Sequence, residues 1–336
     1  MLSIIVAIHN QLGHNRLFLD GITRYTSGPY EVIVIDNHST DGSAEFFESS
    51  GCKVIRNDKN LCYPESMNLG SVAARGKYLC HINNDLYVAP GWDQLLLGAM
   101  ERERLDAASP LGLEMMPTRA LTDWMQGRWA AIGQGRLSTG KSKETLHTMV
   151  RAMYGDWEEF CNEVRQSFTG MCFDGIVGSC VVIRRDTYEK IGRLDERIQA
   201  ADWDLYYTLR KRELTHGDVR RCMVVGGVFV HHFIRATVKS KREPFACAHE
   251  RWTIDRKWDR EEQAKLWCKP DELSGRPSFM RSIGERVAKP VRKLIQELDR
   301  MTAARRLWVP ASRIVDVYRQ KFQTLGRPGR AASPAQ

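Results

Sequence analysis

Long apolar runs, paired cysteines and a basic leader are all missing from this chain. No stretch approaches the roughly 20 apolar residues that a membrane-spanning helix needs. The cysteines number nine, an odd count, and none forms a CxxC pair. Neither a disulfide frame nor a zinc site is therefore indicated; reduced thiols and a cytoplasmic setting are expected. The opening, Met1-Leu2-Ser3-Ile4-Ile5-Val6-Ala7-Ile8, carries no positive segment and no cleavage site, and reads as a first strand rather than a signal peptide. No GxGxxG follows that strand, so the dinucleotide fingerprint is absent. The net charge is +9, yet no nucleic-acid motif accompanies it. A binder driven by charge alone would show steep salt-dependent affinity for any duplex. The acids that close the strands argue against that class, because they would repel phosphate unless a cation lay between.

What is present is enough for one large domain with an appendage: 336 residues, 43% of them hydrophobic. Residues 3–8 and 31–36 are β-branched, continuous apolar runs, the signature of strands buried on both faces. Between them, Leu17, Leu19, Ile22 and Tyr25 have helical spacing, stopped by Ser27-Gly28-Pro29. A short helix over 44–49, a strand over 54–57 and a helix over about 65–74 follow. The order β-α-β-α-β-α-β predicts an α/β fold with a doubly wound, mostly parallel, right-handed sheet flanked by helices.

Each strand stops on polar residues, and the sharpest stop is Asn83-Asn84-Asp85, followed by a turn at Pro90-Gly91. This places a carboxylate at the carboxyl edge of the sheet, where open α/β sheets bind ligands. A carboxylate flanked by amide oxygens suits Mg²⁺ or Mn²⁺ carrying a diphosphate. A polar turn closing a buried strand accounts for the same residues.

In sequence, the segments SIIVAIHNQ, EVIVIDNHSTDGS, VIRNDKNLCYPESMNLG and GKYLCHINNDLYVAPGW resemble the GT-A fold glycosyltransferases, specifically the family 2-like inverting enzymes and their rhamnosyltransferase-like subset. GSCVVIRRDTYEKIGRLDE, ADWDLYYTLR and VVGGVFVHH continue the resemblance in family order to about residue 235. The resemblance implies a non-processive transfer of one sugar, hexosyl or deoxyhexosyl, from a nucleotide-diphospho-sugar to a saccharide or lipid-linked glycan hydroxyl, as in polysaccharide biosynthesis. It implies that His9, Asn10, Asp36, Asn60, Asn83 and Asn84 line the donor pocket. Asp85, where the family has its DxD, would hold Mg²⁺ or Mn²⁺, with His231 preferred over His232 as a further ligand. Asp202 would be the base, and Trp203 and Asp204 would lie on the acceptor side. Gly178 joins them there because a residue without Cβ lets the backbone approach a ligand closely. Ala201 departs from the family, which usually has Glu at that place. No QxxRW-like segment is found, against a processive synthase. Two alternatives remain: a sugar nucleotidyltransferase, although His9-Asn10-Gln11-Leu12-Gly13 matches its Gly-rich loop poorly, and a non-catalytic GT-A-like nucleotide-binding protein.

The expected organisation is a GT-A domain over 1–244, with a helical acceptor-side insertion at about 111–168. The insertion is rich in Trp and Met, residues that more often fill a core than stack on sugars. A basic helical extension over 245–325 and a disordered tail over 326–336 follow. The extension suits packing on its own domain or a second subunit, or peripheral contact with the inner face of a membrane. The basic segment with Lys239, Lys241 and Arg242 reads as a solvated loop or as a flap over the diphosphate.

Overall fold

The computed structural model describes residues 1–133, 141–234, 245–246 and 252–267. The basic segment around Lys239, the linker at 270–277, the basic stretch at 279–323 and the tail lie outside the described residues.

The first seven elements follow the predicted alternation. They are β1 (Leu2–Ile8), α1 (Leu12–Tyr25), β2 (Tyr30–Asn37), α2 (Ser43–Ser49), β3 (Lys53–Asn57), α3 (Tyr63–Ala73) and β4 (Tyr78–Asn83). A short β5 (Leu86–Val88), α4 (Trp92–Arg102) and β6 (Ala107–Leu111) come next. The helices α5 (Arg119–Gly133), α6 (Lys143–Tyr154) and α7 (Trp157–Phe168) follow β6. The chain returns through β7 (Cys172–Asp174), β8 (Cys180–Arg184), α8 (Arg185–Lys190), α9 (Ala201–Thr215) and β9 (Cys222–His232). Two short helices, α10 (Ile254–Lys257) and α11 (Arg260–Leu266), close the described part. Among the described residues no helix is long and apolar enough to cross a membrane.

The nine strands form one sheet in the order β3-β2-β1-β4-β8-β6-β9-β5, with β7 also on β9. Strands β3, β2, β1 and β4 are parallel, so their carboxyl ends share one edge. Strand β8 then runs antiparallel to both β4 and β6. That reversal positions the site: Cys180 pairs with Ile82, so the loop before β8 arrives at the same edge where β4 ends. The Asn83 N–H donates to the Ser179 carbonyl at 2.9 Å. Strand β6 is parallel to β9, which brings the carboxyl ends of both to this edge as well.

Apolar side chains cover both faces, which is why β1 and β4 are hydrophobic without alternation. One face buries Phe18, Ile22, Trp92, Phe160 and Phe229, and the other buries Ile5, Ile33, Met67, Leu79, Tyr188 and Leu205. In α5 and α7, Trp124, Trp129 and Trp157 are core residues of the first face. The Trp157 indole donates to the Val88 carbonyl at 3.1 Å. Helix α6 packs on α1 and α5, and α7 on β9.

Residues 135–142 spell GxxxxGK[ST]. A phosphate-cradling loop needs a strand before it. This one follows α5, lies mostly outside the described residues, and ends on Ser142, whose hydroxyl caps α6 by accepting the Thr145 N–H at 3.3 Å.

Candidate active site

Two adjoining cavities open at the carboxyl edge. One, of about 420 Å³, is lined by His9, Asn37, Asn60, Asn83, Asn84 and Asp85 among others. The other, of about 490 Å³, is lined by Ile176, Gly178, Ser179, Asp202 and Trp203. Tyr63, Asn83, Glu114, Gln199 and His232 line both. The edge therefore carries one continuous cleft with Asp85 on one side and Asp202 on the other.

The loops after β1 and β2 build the outer wall. Asn10 and Gln11 take left-handed backbone (φ 59° and 71°), which turns the chain sharply out of β1. The His9 ring donates from Nδ1 to the Asn37 carbonyl at 2.7 Å. Asn10 is not a lining residue: its Oδ1 accepts the Thr40 N–H at 2.8 Å and its own N–H donates to Ser39 Oγ. Asp36 departs from expectation in the same way. It is buried beneath the loop, accepts the Ser39 N–H at 3.2 Å and lines neither cavity. Successive strand residues face opposite ways, so the cavity receives Asn37 instead, held by its donation to Ser66 Oγ at 2.9 Å.

At the end of β4, Asn83 faces both cavities. Asn84 is fixed by donation from its amide to Asn15 Oδ1 at 2.7 Å. Asp85 is buried, and its Oδ1 accepts a hydrogen bond from His232 Nε2 at 3.1 Å. The other ring nitrogen of His232, Nδ1, pairs with Glu114 Oε1. Burial opposes a charged imidazole, but the two carboxylates outweigh it and raise the His232 pKa well above its usual value. Burial likewise pushes Asp85 toward neutrality, and His232 overrides it, leaving Asp85 below the usual carboxylate range.

The preference for His231 is reversed by the pleat. In β9, His231 pairs with Tyr87 and His232 with Leu86, so they face opposite sides. His231 is fully buried, with Nδ1 2.7 Å from the Tyr154 hydroxyl and its ring 4.4 Å from that of Trp129. Burial drives its pKa down to about 3, so it stays a neutral core residue.

Asp202 sits in the first turn of α9. Burial raises its pKa, Glu114 adds to the rise, and hydrogen bonds from the backbone N–H groups of Trp203 and Asp202 itself partly offset it. Its carboxylate lies directly over Gly178. Asp204 faces away from the cleft: it is buried, accepts from the Trp258 indole at 2.7 Å and pairs with Lys257 at 2.8 Å. The expected acceptor-side role is thus replaced by an anchor for α10. Asp204→Ala is expected to destabilise the protein by about 2 kcal/mol, the scale for losing hydrogen bonds to a charged group. A lowered urea midpoint, with faster hydrogen exchange confined to residues 252–267, is the readout.

Glu114, Tyr63 and Gln199 were not singled out in the sequence, although all three line both cavities. Glu114 had a usable signal, since it follows the end of β6 just as Asp85 follows β4. Its Oε2 is buried, with no hydrogen-bond partner among the described residues. Tyr63 opens α3 next to Asn60, and Gln199 lies in an irregular loop, where no pattern marks it.

Among the described residues no group of three or more His, Cys, Asp or Glu side chains could by itself enclose a metal ion. The donor set at Asp85 is one carboxylate with neighbouring amides, which fits a hard cation that takes its other oxygens from a bound diphosphate.

The profile of the family described as glycosyl transferase family 2 matches residues 3–192. An uncharacterized glycosyltransferase of Haemophilus influenzae is 32% identical over 103 residues, covering 30% of this chain and 35% of that protein. The O-antigen biosynthesis protein RfbC of Myxococcus xanthus is 23% identical over 214 residues, covering 62% of this chain and 16% of that protein. The chain thus spans about a third or less of the curated relatives it matches. Among solved structures, the mannosyltransferase PcManGT of Pyrobaculum calidifontis, in complex with GDP-Man and Mn²⁺, is similar with a TM-score of 0.45 at 15% identity, over 69% of this chain and 56% of that one.

Proposed function

The chain belongs to glycosyl transferase family 2, and on that premise we propose that it is an inverting, non-processive, metal-assisted glycosyltransferase moving one sugar from a nucleotide-diphospho-sugar to an acceptor hydroxyl on a saccharide or lipid-linked glycan. The observation that supports this reading is the continuity of the two cavities, with Asp85 beside one and Asp202 beside the other.

The donor lies in the cavity of His9, Asn37, Asn60 and Asn84, its diphosphate toward Asp85. A divalent cation, Mg²⁺ or Mn²⁺, held by Asp85 and the diphosphate oxygens would neutralise the charge of the leaving group. Asn83 and Glu114, facing both cavities, flank the anomeric carbon. Asp202 accepts the proton of the acceptor hydroxyl as its oxygen bonds to that carbon and the bond to the diphosphate breaks. A base held above the ordinary carboxylate range by burial is better matched to that task. His232 acts as a positioning residue, its two ring nitrogens bridging Asp85 and Glu114.

Calorimetry with UDP, dTDP, GDP and CDP, each with and without Mn²⁺, tests this on wild type and Asp85→Ala. One nucleotide is expected to bind at least tenfold more tightly with metal, and Asp85→Ala is expected to lose that increment. If no nucleotide binds in the presence of metal, the reading fails.

A further inference from the structure

A second concave surface adjoins the cleft and takes no part in the chemistry above. It is a groove of about 440 Å³ lined by Trp203, Tyr207, Ile254, Gln263, Ala264 and Trp267. Trp203 is a wall of both this groove and the Asp202 cavity, so a molecule whose hydroxyl reaches Asp202 can extend past the Trp203 ring into the groove. The volume is within the ordinary range of small-ligand sites, about 300–1,000 Å³.

The groove is made of rings and its shape is fixed. Trp203 and Tyr207 are one helical turn apart on α9, which places them on one face. The Trp203 and Trp267 rings are 4.8 Å apart and tilted by 51°, and Trp203 and Tyr207 are 6.1 Å apart at 33°. The opposite wall, α10 and α11, is clamped to α9: Asp204 holds Lys257 and the Trp258 indole, and Lys211 pairs with Glu262 at 2.7 Å. Among the polar lining groups, the Gln263 amide nitrogen donates to Asp255 and to the Trp258 carbonyl, the latter at 2.7 Å. Flat apolar faces with little hydrogen-bonding capacity suit the C–H face of a pyranose, whose hydroxyls then point to water. Rigid rings suit that flat shape better than they suit a flexible alkyl chain.

We infer that this groove is a saccharide subsite that seats the acceptor's sugar residue next to the one that is glycosylated. The inference rests on the transferase reading only for the word acceptor; binding of a sugar to the groove can be measured without any donor.

The experiment is saturation-transfer NMR with the methyl glycosides of glucose, galactose, mannose, rhamnose and N-acetylglucosamine, together with octyl glucoside. The variants are Trp267→Ala, which removes a ring, and Ala264→Trp, which fills the groove from an exposed helical position. Ring-proton saturation is expected from at least one methyl glycoside with the wild type, and at least a fivefold loss of it in both variants. Both variants should keep the far-UV circular dichroism spectrum and a cooperative thermal melt, which shows that they fold without calling on any nucleotide. Absence of ring-proton saturation with the wild type, retention of the full signal in both variants, or saturation confined to the octyl chain overturns the subsite. Because no donor is present, a failure of the transferase reading shows up in the calorimetry and leaves this readout untouched.

Discussion

Asp202→Asn is expected to lower the rate of sugar transfer by about 10²–10⁴-fold, the usual contribution of a positioned general base, with metal-dependent nucleotide binding unchanged. The two cavities explain the separation. Asp202 lines the cavity of Gly178 and Trp203, and does not line the one that holds Asp85 and Asn84. The pH profile gives a second readout. Burial raises the Asp202 pKa, so the acidic limb of kcat/KM should fall above the ordinary carboxylate range, with activity lost as pH drops through that raised value. In Asp202→Asn the limb should disappear from whatever rate remains. Stability moves the other way. A carboxyl whose pKa is raised on folding contributes stability below its unfolded pKa and loses it as pH rises through the folded value. Above the folded value the ionised Asp202 is therefore a burden, and there the Asn variant should melt no lower than wild type. A variant that loses both transfer and thermal stability would identify Asp202 as a mere helix cap.

The parallel half of the sheet was legible because its strands are buried on both faces and its helices have clear stops. The runs at 3–8 and 31–36 became β1 and β2, and Ser27-Gly28-Pro29 marks the gap after α1. The antiparallel entry of β8 was not legible, since a continuous apolar run such as Cys180–Arg184 reads the same in either direction. That reversal is what brings Gly178 to Asn83, so half of the cleft depended on a property the pattern does not carry.

The strand-end rule located the edge correctly but not the side chains that reach the cavity. The resemblance pointed to Asp36 where Asn37 faces inward, and to His231 where His232 does, each a shift of one residue across the pleat. A one-residue offset is what a period of two cannot resolve when both faces are buried. Asp204 shows the same limit on a helix: a carboxylate two residues from Asp202 points elsewhere and clamps α10. The GxxxxGK[ST] spelling at 135–142 shows the converse, a pattern whose mechanism fails because α5 precedes it where a strand is required.

Gly178→Ala should be the most informative substitution that leaves every ionisable group in place. A Cβ at Gly178 would lie 2.1 Å from Asp202 Oδ2 and 2.5 Å from Asp202 Cβ. Both are far inside van der Waals contact, so something must move. The Asp202 Cβ is fixed by the first turn of α9, so the carboxylate cannot simply swing aside while its base remains. A displacement on the order of 1 Å at a reacting group can cost about 10²-fold in rate, or about 2.7 kcal/mol of barrier. The expected result is therefore a kcat lowered about 100-fold, with nucleotide binding near that of wild type and a melting temperature lowered by a few degrees, the scale of overpacking by about 1–3 kcal/mol. The acidic limb of the pH profile should persist, because the base is misplaced rather than removed, and this separates Gly178→Ala from Asp202→Asn. An unchanged kcat would mean that the Asp202 carboxylate does not have to occupy the space above Gly178 for transfer, and its assignment as base would fall with it.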